Sequence, residues 1–404
     1  MRVLVFAHVP PPHHGQSYMI QQMLENLEKA NSDDKGQLTL FHVNARLSDG
    51  VDDIGVWRIG KFFRLAGYIL QAWWIRLRHS PDAFYYVPAP AKHSAIYRDW
   101  LVLSVAASLF KFRIFHWHAT GLGPWVKESA LSGWFRRLEA TITRRLLSRH
   151  DLSCVLNEWG RHDIEAFSPP RIAVVANGIP DPCPDFNVTL LPDRLQRLGQ
   201  RSQSSEMSLV PFQLLYLAHA TRAKGLFDAV EAVALANAKL EQNQSQQRIC
   251  LTVAGAFLSK EEERVFQERI RRDDLKLTGK GHEESRSVIY AGHVALDEKD
   301  HLLRASDALC FPSYFPNEGQ PVAVIEALAY GLPVLLSRWR ALPEIISPSL
   351  AYLVEPADPD ALAKALPHLF LESRFEEYRK YYLEHYTLAM HGAQLRAALF
   401  SVSS

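Results

Sequence analysis

The stretch 307–346, DALCFPSYFPNEGQPVAVIEALAYGLPVLLSRWRALPEII, limits what this 404-residue chain can fold into more than any other. An apolar run at 308–311 is broken by Pro312, which makes it strand-like, and a polar loop follows at 313–321. A helix-favouring apolar run, 322–330, is stopped by Gly331 and Pro333, and 334–337 reads as another buried strand. Strand, loop, helix and strand in about thirty residues make a βαβ unit, and that implies a parallel sheet.

In such a unit ligands lie at the carboxyl ends of the strands, against the first turn of the helix. Here that position holds Asn317, Glu318, Gly319, Gln320 and Pro321. Gly319 lets a ligand approach the backbone, and Pro321 suits a helix start because its missing N–H has no helical partner anyway. The free N–H groups of Gly319, Gln320 and Val322 and the positive end of the helix dipole favour phosphate. Glu318 and Glu326 are eight residues apart, roughly 12 Å if all were helical. Retaining glycosidases hold two carboxylates about 5 Å apart and inverting ones up to about 9.5 Å. The spacing therefore fits two handles on one long ligand, such as a nucleotide sugar, better than an acid–base couple. The plainer alternative makes both glutamates solvated residues at a helix start.

The block resembles the motif of retaining GT-B glycosyltransferases of family four (glycosyl transferases group 1). There two glutamates flank seven residues in the frame P-S-x-x-E-G-x-P-x-x-x-x-E-A-x-x-x-G-x-P-V. Pro312, Ser313, Glu318, Gly319, Pro321, Glu326, Ala327, Gly331, Pro333 and Val334 match it, with two extra residues before Glu318, and Pro343-Glu344-Ile345 fits as well. The resemblance implies an α/β protein of two Rossmann-like domains whose parallel sheets face a central cleft. It implies a nucleoside-diphosphate sugar as donor and no metal. It gives Glu326 the ribose, Glu318 the donor sugar hydroxyls, and Lys224 with the amides of 319–322 the diphosphate.

Length agrees with two domains, since 404 residues exceed one typical core. With 48% hydrophobic and 22% charged residues the composition is that of an ordinary soluble protein, and a net charge of +1 gives no reason to expect nucleic acid. Cys154, Cys183, Cys250 and Cys310 have no metal-like spacing and read as reduced thiols of a cytosolic protein. The N-terminus is too short and proline-rich for a signal peptide, and the most apolar window, 100–110, is too short for a membrane span.

In the first half, a strand at 2–7 leads through a loop holding His13, His14 and Gly15 into a helix at 17–29. By the resemblance Gly15 packs against the donor diphosphate, although a second glycine often seen beside it is Gln16 here. His13 and His14 read either as acceptor contacts or as solvated loop residues. Strands follow at 38–43, 83–87, 112–116 and 151–156, the third of them entering HWHATG at 116–121. Alternation puts His116 and His118 on one side of that strand. The resemblance places a histidine there beside the acceptor and the transferred sugar, His118 first and His116 second, so the catalytic group is His118, Glu318 and Lys224. The alternatives are a metal pair, for which no third ligand stands nearby, and two structural histidines. Between 58 and 149 the chain has fifteen Lys and Arg against four Asp and Glu, concentrated in 57–78 and 134–149. Basic residues mixed with aromatics or leucines at helical spacing suit helices that rest on anionic lipid; the alternative is two amphipathic helices with solvated basic faces.

Residues 174–180, VVANGIP, resemble the turn that ends the first domain of this family. The expected organisation is a first domain at 1–180, a linker at 181–208, a nucleotide-sugar domain at 209–384 and a final helix, 385–404, crossing back. The strand at 212–217 opens into AHATRAKG, where the family has G-R-L-x-x-x-K-G before a helix, here 226–240. Lys224 and Gly225 match; His219 stands at the arginine position, and Arg222 is near enough in sequence to replace it. Further strands at 249–254 and 288–292 bring His293 to the donor side. The function implied is transfer of a sugar to a saccharide or lipid-linked acceptor in bacterial surface polysaccharide synthesis, in the cytoplasm or on the inner face of the plasma membrane. A nucleotide-sugar epimerase and a catalytically silent membrane-associated partner are the two rivals.

Overall fold

The fold is that of a computed structural model, which describes residues 1–11, 15–33, 38–47, 59–202, 211–276 and 286–402. It separates into two compact units. The first comprises Met1–Pro180, Pro316–Gln320 and His385–Ser404, the second Asp181–Phe315 and Pro321–Glu384.

The first unit is built on six parallel strands: β1 (Arg2–Ala7), β2 (Thr39–Asn44), β3 (Ala83–Tyr86), β4 (Phe112–Trp117), β5 (Leu152–Val155) and β6 (Ile172–Val174). Their spatial order is β2-β1-β3-β4-β5-β6. Residues alternate between faces. Leu4, Phe84 and Phe115 pack with Leu65, Ile69, Ala72 and Ile75 of the helix Ile59–His79. Val3, Val5, Tyr85 and Ile114 pack on the other side with Ile20 and Leu27 of the helix Gly15–Asp33 and with Leu395 and Leu399 of the helix Leu388–Ser401. Both faces are covered, which is why β3 and β5 are apolar runs buried throughout.

The second unit repeats the scheme with β7 (Phe212–Leu217), β8 (Ile249–Ala254), β9 (Val288–Gly292), β10 (Ala308–Phe311), β11 (Val334–Ser337) and β12 (Tyr352–Val354). Its order is β12-β11-β10-β7-β8-β9, all parallel. Counted from β7 this is the strand order of dinucleotide-binding sheets, and it reverses between β7 and β10. The two loops on either side of that reversal are 218–225 and 312–321, the stretches that carry Lys224 and Glu318.

Of the linker expected at 181–208, the described part, Asp181–Ser202, is not a free connection, and 203–208 lie outside the described residues. Asp181–Ser202 belongs to the second unit, where the helix Leu191–Ser202 is packed down through Leu190 and Arg194, both nearly inaccessible. The four cysteines are free and buried.

Candidate functional site

After β7 the chain makes a short turn, Arg222–Lys224, and enters the helix Leu226–Gln242 through Gly225. Gly225 has φ +75°, and a Cβ on it would collide with the Pro312 carbonyl oxygen. The glycine is thus required twice, for the left-handed turn and for the close passage of the loop after β10. The Tyr314 N–H donates to the Ala223 carbonyl (2.9 Å) and fixes that passage. Lys224 Nζ then lies 4.9 Å from the centre of the Phe315 ring and 5.5 Å from that of Phe311, an ammonium held over two aromatic faces. His219 shares this corner: protein packing, then Lys224 and His293, push its imidazole pKa down, so it stays neutral beside the cation. Arg222, by contrast, stacks on Phe227 at 4.5 Å while its backbone N–H meets Glu262. The cation grouped with His219 and His293 is therefore Lys224.

Pro321 caps the helix Val322–Ala329, whose first residue is Val322. Because that helix starts only at Val322, half of the 318–326 interval is loop, and the all-helical spacing of the two glutamates does not apply. Glu326, on its second turn, is buried, and Lys299 Nζ meets its Oε1 at 2.5 Å from the helix Leu296–Ala305. Burial pushes the Glu326 carboxyl up and Lys299 pulls it back toward ionisation. Two buried guanidiniums close the far end of the same helix. Arg194 donates to the carbonyls of Tyr330 (3.1 Å), Ser306 (2.7 Å) and Leu303 (3.0 Å), and Arg379 to that of Ala329 (2.8 Å) and to Asp181. Cations thus sit at the negative end of a helix whose positive end faces the loop after β10.

The five residues 316–320 are held by the first unit. Thr120 Oγ1 donates to the Glu318 carbonyl (2.8 Å), and Asn177 donates to the Gln320 side-chain and main-chain oxygens at 2.6 and 3.0 Å. The Gln320 amide reaches the Leu156 carbonyl, so this side chain is an anchor of the loop rather than an open donor contact. Gly319 also has a different reason from the one expected: a Cβ there would lie 2.6 Å from the His118 carbonyl oxygen. The glycine is needed for contact with protein backbone. Glu318 itself is buried.

The same unit brings His116 and His118 together, with ring centres 4.3 Å apart, as strand alternation requires. His116 is wholly inaccessible, its Nδ1 2.5 Å from the Tyr85 hydroxyl and its ring stacked near His391. It is a core histidine behind His118 and does not reach an acceptor. Burial, with His391 nearby, takes the His118 pKa down to about 3, so its ring is neutral. Gly15 opens the helix after β1, at the point where the order of the first sheet reverses. His13 and His14 lie outside the described residues.

Residues 201–385 match the model of the family described as glycosyl transferases group 1. Over 75 residues the chain is 40% identical to the MMP alpha-(1->4)-mannosyltransferase of Mycolicibacterium hassiacum, a match that spans 18% of each protein. Among solved structures it is similar to HepE of Anabaena, in complex with UDP (TM-score 0.66, 14% identity, 99% of this chain and 100% of that one). It is also similar to a glycosyltransferase of Rickettsia africae (TM-score 0.65, 13% identity, covering 100% and 99%) and to the lipopolysaccharide outer core galactosyltransferase WaaB (TM-score 0.64, 16% identity, 99% of each). The chain has the GT-B fold of these structures, and its residues 201–385 are similar to the group 1 glycosyl transferases.

Within the group 1 segment the residue that sequence reasoning passed over is Lys299. It sits in LDEKDHLLRA, a helix of mixed charge in which nothing distinguishes one lysine from a solvated surface residue. Thr120 and Asn177 lie in HWHATG and VVANGIP, which the sequence does single out, but their tethering of the first glutamate's loop is not legible there, because their partners are more than a hundred residues away.

Proposed function

We propose that the protein is a retaining glycosyltransferase that moves a sugar from a nucleoside-diphosphate sugar to a saccharide or lipid-linked acceptor. One observation carries the reading. The two loops that flank the strand-order reversal of the second sheet hold Lys224 and the glutamate block, and they are stitched together at Gly225, Pro312 and Tyr314. A departing diphosphate at that point meets the Lys224 ammonium and the amides at the start of the helix Val322–Ala329, which supply the charge that catalysis of this step needs. In this reading no metal is required, Glu326 binds the ribose, Glu318 the donor sugar, and His118 contacts the acceptor or the sugar as a neutral ring. The UDP complex of HepE and the galactosyltransferase WaaB support this donor class and a place in surface polysaccharide synthesis. Incubation with a panel of radiolabelled nucleotide sugars and membrane extract tests it. Transfer that persists in EDTA and keeps the anomeric configuration by NMR is the expected result, and conversion of free nucleotide sugar without acceptor would favour an epimerase instead.

The lipid-linked option is supported by the outer faces of two helices. On Ile59–His79 the residues Phe62, Phe63, Leu70, Trp74 and Leu77 are exposed, and on Trp134–Leu147 so are Trp134, Phe135 and Leu138. Arg64, Arg78, Arg136, Arg137, Arg144 and Arg145 are interleaved with them, and both helices pack through their inner faces into one core cluster. Aromatic and basic side chains on one side of a unit suit the headgroup region of an anionic, cytoplasm-facing leaflet. Among the described residues no helix is long and apolar enough to cross a membrane. The expected outcome in sedimentation is binding to phosphatidylglycerol vesicles but not to phosphatidylcholine ones, weakened by salt and lost when Phe62, Phe63, Trp134 and Phe135 are replaced by serine.

A further inference from the structure

Glu326 is a carboxylate on a helix where almost nothing else is polar: Val322–Ala329 reads VAVIEALA. The strands packed against that helix add no charge. β10 offers Cys310, whose thiol burial pushes up to about 12, and β11 offers Val334–Ser337. On the neighbouring helix Leu296–Ala305, Asp300 and Arg304 close on each other at 2.9 Å, with Asp300 also taking the Tyr330 hydroxyl. Glu318, earlier in the block, is held with the first unit. Among the described residues the charge that meets Glu326 is Lys299, at 2.5 Å from Oε1.

We propose that Lys299 is a positioning residue for the nucleotide: it fixes Oε1 of Glu326 and so presents the carboxylate to the hydroxyl pair of the donor ribose. The proposal rests on the reading of the chain as a nucleotide-sugar enzyme and adds to it a residue that sets ribose recognition. A lone buried glutamate takes up a proton rather than remain charged, and a carboxylic acid accepts fewer hydrogen bonds than a carboxylate. Lys299 opposes that protonation and occupies one oxygen with a charge-assisted bond, which also limits rotation of the group. Two hydroxyls of one ribose then meet an acceptor that is ionised and aimed before the ligand arrives. Lys299 is 30% exposed, enough for its ammonium to remain hydrated when the bond to Glu326 is made.

The test is calorimetric binding of UDP, GDP and their 2′-deoxy forms to the whole protein and to Lys299→Met, Lys299→Arg and Glu326→Gln between pH 6 and 9. The wild type should prefer the ribonucleotide by about tenfold, the worth of one hydrogen bond to a charged group, with little pH dependence. In Lys299→Met that preference should collapse at pH 6–7 and return toward pH 9, as Glu326 loses its proton without help. Lys299→Arg should keep it, and Glu326→Gln should lack it at every pH. Equal loss of ribo and 2′-deoxy affinity in Lys299→Met at all pH values, or no change at all, overturns the proposal. A wild type that binds none of the four nucleotides instead brings down the enzyme reading itself.

Discussion

Lys224 is the side chain on which the proposed chemistry depends most directly. Its ammonium is held over Phe311 and Phe315 and is only half buried, so its removal leaves no cavity in the core. Lys224→Ala should lower turnover by about 10²–10³, the usual effect of deleting one preorganised charge donor, with the melting temperature unchanged; undiminished turnover would remove the diphosphate from this corner. Lys224 was legible because Lys224 and Gly225 match the turn of the family that the sequence resembles. Lys299 and Arg194 were not, since each acquires its meaning from a partner brought near only by folding. His116 was misjudged for a related reason. Alternation gives the side of a strand that a residue faces, but not whether Tyr85 and His391 already cover that side.

At the level of elements, strands were the easier reading. β8, β10 and β11 are mainly apolar runs buried on both faces, whereas the edge strand β9 exposes Ile289. Residues 181–208 read as a linker with a short helical piece near 190–198; that the helix Leu191–Ser202 is anchored to the second unit is not legible, because its buried stripe carries Arg194 where a hydrophobic residue would announce itself. Burial pushes the Arg194 pKa down to about 9, so the guanidinium stays charged at neutral pH and satisfies the last carbonyls of two helices. Arg194→Met keeps the bulk but strips the donors from three buried carbonyls. It should cost the second unit about 2–4 kcal/mol, read as a lower calorimetric transition, and Lys at this position should restore only part because it lacks the planar fork. An unchanged transition would mean that those carbonyls find water.

Taken whole, the molecule should unfold unevenly with acid. His116, His118, His150 and His391 all lie in the first unit, and burial holds every one below the ordinary histidine value. The unfolded chain therefore binds the extra protons. The stability these rings contribute is complete above about pH 6.5 and falls as pH drops toward 4, by about 1.4 kcal/mol per pH unit for each ring that stays neutral. Eight of the nine tryptophans precede residue 181, so urea titrations followed by tryptophan fluorescence at pH 7.5, 6 and 5 report on that unit. A midpoint that does not move would show the four imidazoles already protonated in the folded state. His391→Gln should reduce the slope.

The chain leaves the second unit at Phe315, spends five residues in the first, and returns at Pro321. A chimera that exchanges 181–384 between relatives would transplant those five residues along with their new host, and they would arrive without the threonine and asparagine that receive them. Grafts meant to change donor preference should therefore keep 316–320 from the resident parent together with Thr120 and Asn177. Cuts placed at 315 and 321 respect the seam that the fold itself uses.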